Sequence, residues 1–250
     1  MRIHIGEVAA LCRYPVKSMA GERLDVADLG WHGVVGDRRM ALRRVGDYGG
    51  FPWLTASKVP ELLLYVPTRR EGATHGDPPA YIRTPGGQEL AAFGSELASE
   101  IGLRAGVSVE MMHLNRGIFD EGSISLISCD TVSEISRLAA QPSDVRRFRP
   151  NIVIQSQRSV PFEEDDWVGG SLSFGATDDG ARITVTNFDE RCSMVNYAPE
   201  SARSTPGVLK AIVGARNNRA GVYAAVTRRG RVDVGLPVFF EPVATALVLE

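Results

Sequence analysis

The chain is poor in several things, and each shortage excludes a class of protein. Its 250 residues hold three cysteines, four histidines and three lysines. Cys12, Cys129 and Cys192 lie far apart and form no CxxC pair. That excludes a disulfide framework or a zinc ribbon and favours a reducing compartment. His4, His32, His75 and His113 show no metal-ligand spacing and read as ordinary surface or strand-end residues. No apolar run approaches the roughly 20 residues that cross a bilayer. The opening Met-Arg-Ile-His-Ile carries no signal-peptide core. A formal charge of −2 lacks the basic excess of a nucleic-acid binder. The expectation is a cytoplasmic protein with a small-molecule partner, binding neither nucleic acid nor membrane. Hydrophobic residues at 44% are enough for a real core, and the length fits one large domain or two modest ones.

What the chain does have is arginine, concentrated at Arg146-Arg147-Phe148-Arg149-Pro150-Asn151. The apolar run Ile152-Val153-Ile154 follows and reads as a buried strand. Pro150 predicts extended backbone at Arg149, which would hold cationic forks at the mouth of that strand. Guanidinium groups there suit a phosphate or carboxylate. About forty residues later comes Arg191-Cys192, whose thiol is a soft metal ligand or a nucleophile. The plainer alternative is a surface arginine cluster beside a core cysteine.

In chain order, Ile3–Leu11 alternates as a strand and ends at Tyr14-Pro15-Val16-Lys17-Ser18, where proline starts a loop. Lys17 and Ser18 thus stand on a strand exit, a common place for ligand contacts, although a solvent-facing pair explains them too. Strands are predicted at Glu22–Leu29, Asp37–Arg43, Leu62–Val66 and Val107–Leu114. A helical turn is predicted at Thr55–Pro60, a hairpin around Pro85-Gly86-Gly87, and a helix at Ser95–Ile101 with Gly102 past its end. Residues 69–79, rich in glycine, proline and charge, read as a surface loop. Many short strands with turn signals predict a small β-barrel or sandwich up to about residue 115. The polar stretch 115–122 separates it from a second half.

That half opens with a strand at Ser123–Ile127 and an amphipathic helix over Val132–Ala139. Asp130 is the favoured N-cap, with Ser128 or Thr131 as alternatives. Such a helix start can seat an anion, though capping alone explains the residues. The acids of Phe162-Glu163-Glu164-Asp165-Asp166-Trp167 read as a solvated or arginine-paired loop. Further strands are predicted at Leu172–Phe174 and Arg182–Phe188, and a helix at Pro206–Ala215. Val222–Thr227 and Arg231–Val234 read as a hairpin around Arg229-Gly230, with Val238–Phe240 continuing the sheet.

Taken together these motifs resemble the MOSC family, named for the C-terminal domain of molybdenum cofactor sulfurase. The resemblance rests on Tyr14-Pro15-Val16-Lys17-Ser18, Gly36-Asp37-Arg38, Arg147-Phe148-Arg149-Pro150-Asn151-Ile152, Phe162–Trp167, Arg191-Cys192 and Gly221-Val222-Tyr223 with Val234–Val238. They run in family order over nearly the whole chain. The resemblance implies a mostly β, α+β fold: an N-terminal MOSC-associated β-barrel domain over 1–115 and a MOSC β-barrel domain over 116–250. It implies a molybdenum pterin cofactor between the halves. In the amidoxime-reducing branch the matching positions are Lys17, Ser18, Arg38, Arg149 and Asn151 for cofactor binding. Thr131 or Ser128 adds a contact from the second-half helix. Cys192 is the implied catalytic thiolate and the protein's ligand to molybdenum. The implied activity is reduction of N-hydroxylated or related N–O or S–O compounds. Electrons would come from a separate donor protein of the flavin reductase or ferredoxin type, since three scattered cysteines cannot hold a cluster in the usual way. Pyridoxal phosphate binding is associated with the family, but no pyridoxal-dependent desulfurase domain accompanies these motifs. The chain departs from the reductase branch at Glu190, at Val195-Asn196 and at Leu236. Two other readings of the motifs are a sulfur-transfer or cofactor-carrier protein with a Cys192 persulfide, and a metal-free small-molecule binder.

Overall fold

A computed structural model describes residues 2–74 and 76–243, so His75 lies outside the described residues. The first half holds β1 (Ile3–Arg13), β2 (Glu22–Leu24), β3 (Val26–Gly30), β4 (Gly33–Val34), β5 (Met40–Arg44), β6 (Val66–Thr68), β7 (Tyr81–Arg83), β8 (Glu89–Ala91), α1 (Ser95–Ala105) and β9 (Val109–His113). The strand predicted at Glu22–Leu29 breaks at Asp25, because β2 pairs with β1 while β3 joins another sheet. Leu62–Leu64 is not a strand. It belongs to a 3-10 turn, Pro60–Leu64, with proline near its start and Leu62 and Leu63 buried. A five-residue apolar run fits either element, and the proline favours the turn. The helix α1 runs past Gly102 and ends instead on Gly106, whose φ of 67° makes the left-handed cap. The predicted hairpin forms as β7 and β8.

The second half holds β10 (Ile124–Ser128), α2 (Cys129–Leu138), β11 (Ile152–Ser156), β12 (Ser171–Phe174), β13 (Arg182–Glu190), α3 (Gly207–Arg216), β14 (Arg219–Arg228), β15 (Gly230–Asp233) and β16 (Pro237–Glu241). Seven strands close a barrel in the order β11-β10-β14-β13-β12-β16-β1, with β1 pairing back to β11. The strands β10 and β11 are parallel, joined through α2, and their neighbours in the barrel are antiparallel. Closure removes the sheet edges that would otherwise need protection. The inside is filled by Leu11, Leu126, Ile152, Ile154, Trp167, Leu172, Ile183, Val222 and Val238, among others. Each such aliphatic side chain contributes about 1.5–3 kcal/mol on burial. A separate core under the first half gathers Met19, Met40, Leu42, Leu62, Tyr65, Ile82 and Ile101. A third joins α2 and α3 to the barrel through Val132, Ile135, Val208, Ile212, Ile127 and Phe148.

Two further expectations are corrected. The strands β14 and β15 are adjacent in sequence but not paired as a hairpin; β15 pairs with β3, setting Val232 opposite Ala27. The N-cap of α2 is Ser128, whose Oγ accepts the Thr131 N–H at 3.1 Å, rather than Asp130.

Candidate functional site

The site begins where β1 stops. After Arg13 the chain turns through Tyr14-Pro15 and Lys17 N–H donates to Met40 O at 2.8 Å. That bond places Lys17 and Ser18 beside Arg38. Beneath them Asp37 is fully buried: its Oδ1 accepts the Tyr14 N–H at 2.7 Å and its Oδ2 accepts from Arg38 Nη1 at 2.5 Å. Arg38 also donates to Asn151 Oδ1 at 3.3 Å and to Arg149 O at 2.9 Å. Arg149 donates to Met19 O at 2.7 Å. Both guanidinium groups lie over the Tyr14 ring, at 4.9 Å for Arg38 and 4.2 Å for Arg149. Such cation–π contacts are stronger when desolvated.

Arg149 is not extended, as the following proline predicted; its φ is 51°. The left-handed turn lets its carbonyl accept from Arg38 while its own side chain reaches Met19. Ser18 and Arg38 share this geometry, with φ of 67° and 47°. Non-glycine residues in this region cost about 1–3 kcal/mol each and cluster at functional sites. Here three of them stand around one cavity.

The cavity has a volume of about 360 Å³ and lies between the first-half core and the mouth of the barrel. Lys17, Ser18, Arg38, Arg149 and Cys192 all line it, joined by Phe51, Asp120, Glu121, Arg147, Asp189, Glu190, Arg191 and Tyr223. Cys192 lies two residues past the end of β13 and is exposed. The other two candidate residues do not line the cavity. Asn151 is buried behind Arg38, where its amide also accepts from Ser125 N–H and donates to Cys12 O. Thr131 is buried in a separate network with Ser128 and Glu164.

The charges are largely arranged in pairs. Lys17 is 4% exposed, and its Nζ donates to Asp120 Oδ1 at 2.8 Å and to Ile118 O at 3.3 Å. Burial pushes the Lys17 ammonium below its ordinary range, against the pull of Asp120. Burial also opposes the charge on Arg38, but Asp37 outweighs it and holds the group above its usual value. Arg149 has no such carboxylate; burial, with Arg38 nearby, lowers it to about 10. Arg191 is committed to structure. It donates to Ala220 O and Phe148 O, and it pairs with buried Asp189 at 2.9 Å. Burial raises the Asp189 carboxyl in spite of Arg191 and the bond from Ser125. Burial and Asp189 likewise raise the Tyr223 phenol. Arg147 Nε and Arg149 Nη2 are buried yet have no hydrogen-bond acceptor in the protein. Both residues line the cavity, and each keeps one guanidinium nitrogen that no protein acceptor satisfies.

Motif reading missed several lining residues. Asp120, Glu121 and Phe51 sit in stretches with no chemical signature of their own, and Tyr223 belongs to a family motif that gave it no role. The role of Asp37 had a signal, its place next to Arg38, but burial of that pair cannot be read from a dipeptide. Among the described residues no three His, Cys, Asp or Glu side chains converge as a metal cage. A metal here would have to bring ligands of its own beside Cys192.

A closed barrel thus meets a cavity lined by buried guanidinium groups and one exposed cysteine. The chain belongs to the MOSC family: residues 112–239 match the MOSC domain and residues 5–112 match the MOSC N-terminal beta barrel domain. That family is associated with molybdenum cofactor proteins. Its association with pyridoxal phosphate has no support from these similarities. No curated protein matches the chain. Among solved structures, the YUAD protein from Bacillus subtilis is similar in fold, with a TM-score of 0.54 and 16% identity over 98% of this chain and 99% of that one. YiiM from Geobacillus stearothermophilus matches 50% of this chain and 57% of its own at 18% identity, with a TM-score of 0.39. No helix among the described residues is long and apolar enough to cross a membrane.

Proposed function

We propose that the cavity holds a molybdenum pterin cofactor and that the protein reduces N-hydroxylated or related N–O or S–O compounds, with Cys192 as the thiolate ligand to the metal. The observation that carries this is the joint lining of one cavity by exposed Cys192 and by the basic residues Lys17, Arg147 and Arg149. The donor set fits the group. A phosphate suits the unpaired guanidinium nitrogens, and a soft, sulfur-ligated metal suits a thiolate. When bound, that group supplies two-electron oxygen-atom chemistry.

The chain's own residues bind, orient and hold protons. Arg147, Arg149 and Lys17 take the phosphate, and Ser18 adds a hydroxyl. Asp37 and Asn151 fix Arg38 from behind, while Arg191 ties Phe148 to the start of β14 and so sets where Cys192 stands. Tyr223, held protonated by burial and by Asp189, keeps a proton at its Oη beside the substrate space. In net terms an N–OH compound takes up two electrons and two protons, giving N–H and water. The electrons come from a separate flavin- or ferredoxin-type protein, and the reading places the protein in the cytoplasm.

Metal analysis tests the proposal. Protein made in a molybdenum-replete host is expected to carry stoichiometric molybdenum, and Cys192→Ala is expected to lose it. Molybdenum-free protein bearing a cyanide-labile sulfur on Cys192 would make it a sulfur carrier instead.

A further inference from the structure

The pairing of Lys17 with Asp120 means that the anion seat already has an occupant supplied by the chain. The ammonium is nearly buried, whereas the Asp120 side chain is 60% exposed, so the carboxylate reaches in from solvent. Its backbone is not free to leave. Ile118 is buried, its N–H donates to Arg38 O at 2.7 Å, and its own carbonyl accepts from Lys17. Leu114 N–H donates to Arg39 O, and Glu121 accepts from Asn187 on the barrel wall at 3.1 Å. The strap of residues 114–121 is thus tied down on both sides of Asp120, whose side chain stands largely in solvent.

From this we infer that Asp120 is an internal competitor that sets which anions the Lys17 seat accepts. The inference rests on the reading that the cavity takes a phosphate-bearing guest. A monocarboxylate offers Lys17 only what Asp120 offers already, and it arrives from dilute solution. A phosphomonoester carries more charge and three outward oxygens, so at Lys17 it still has oxygens to offer Arg147 and Arg149, which line the same cavity. Asp120 therefore weakens all anions but excludes the weaker ones, a form of selection by repulsion. Displacement needs one side-chain rotation while Ile118 keeps its bonds.

Titration calorimetry on the full chain tests this with inorganic phosphate, methyl phosphate and acetate, without molybdenum and with Cys192 intact. Asp120→Asn is expected to bind inorganic phosphate about two- to fivefold more tightly, the scale of one partly exposed ion pair, and to gain measurable acetate binding. Adding Lys17→Met to Asp120→Asn should remove both gains. Methyl phosphate binding like inorganic phosphate marks a seat for a tethered phosphate; preference for the free ion alone would overturn the phosphomonoester assignment. Unchanged or weaker phosphate binding in Asp120→Asn, in protein whose melting shows it folded, would overturn the inference. So would gains that survive Lys17→Met. Should Asp120→Asn fail to fold, Asp120→Ser is read in the same way. Loss of molybdenum binding in unrelated metal analysis would leave these phosphate measurements untouched, so the two readings fail separately.

Discussion

Replacing Asp37 by Asn asks how much of the cleft rests on one buried carboxylate. The substitution keeps an oxygen for the Tyr14 N–H but sets an amide against Arg38 Nη1. Breaking a buried ion pair by removing one partner costs about 3–5 kcal/mol. Two features reduce that here: Arg38 retains acceptors on Arg149 and Asn151, at 2.9 and 3.3 Å, and its side chain is 14% exposed. The expected loss is about 2–3 kcal/mol, taking each remaining hydrogen bond as worth about 1 kcal/mol. For a chain of this size that lowers Tm by roughly 5–10 °C. Calorimetric or circular-dichroism melting of wild type, Asp37→Asn, Arg38→Met and the double variant gives the coupling directly. Coupling of at least ~1 kcal/mol is expected of residues in one buried network. A loss well under that figure, or simple additivity of the two substitutions, would refute the account of Asp37 as the anchor of Arg38.

Two more outcomes follow from the same geometry. Gly221 has φ of 83°, and a Cβ there would stand 2.5 Å from Leu126 O and 2.9 Å from Arg191 Nη2; Gly221→Ala should lower Tm and dislodge Arg191, and an unchanged melt would contradict this. Burial raises the Glu164 carboxyl above its ordinary 4.5, against the bonds from Ser128 and Thr131. The folded state therefore holds that proton longer than the unfolded chain, and stability falls as pH rises from 4.5 through the raised value. Glu164→Gln should flatten the fall in Tm above that pH, leaving the part due to Asp189; identical slopes would remove Glu164 as the cause.

Much of the architecture was legible where one side of an element faces a core. The alternation of Ile3–Leu11 predicted β1, and Pro85-Gly86-Gly87 predicted β7 and β8. Failures came where distant chain decided the outcome. Nothing near Arg229-Gly230 announces that β15 pairs with β3, some two hundred residues away. Gly102 weakens a helix locally, but Ala105 beyond it packs against the first-half core, and α1 runs on to Gly106. Pro150 disfavours helical backbone at Arg149, yet it does not bar the left-handed turn that Arg38 and Met19 stabilise. In the cleft, residue types at Lys17, Arg38, Arg149 and Cys192 marked the chemistry. Which way Asn151 and Thr131 face was invisible, because side-chain direction depends on a register that one sequence does not print. The carboxylates that answer Arg38 and Lys17, Asp37 and Asp120, came from loops, where charge is common and carries no pattern.

The placement of β1 bears on how the molecule comes into being. That strand ends up flanked by β11 and β16, the latter reached only some 225 residues further along the chain. The ring cannot shut until β16 has left the ribosome, so β1 waits, apolar on one side, for neighbours not yet translated. Splitting the gene between its halves would strand that segment with the wrong fragment.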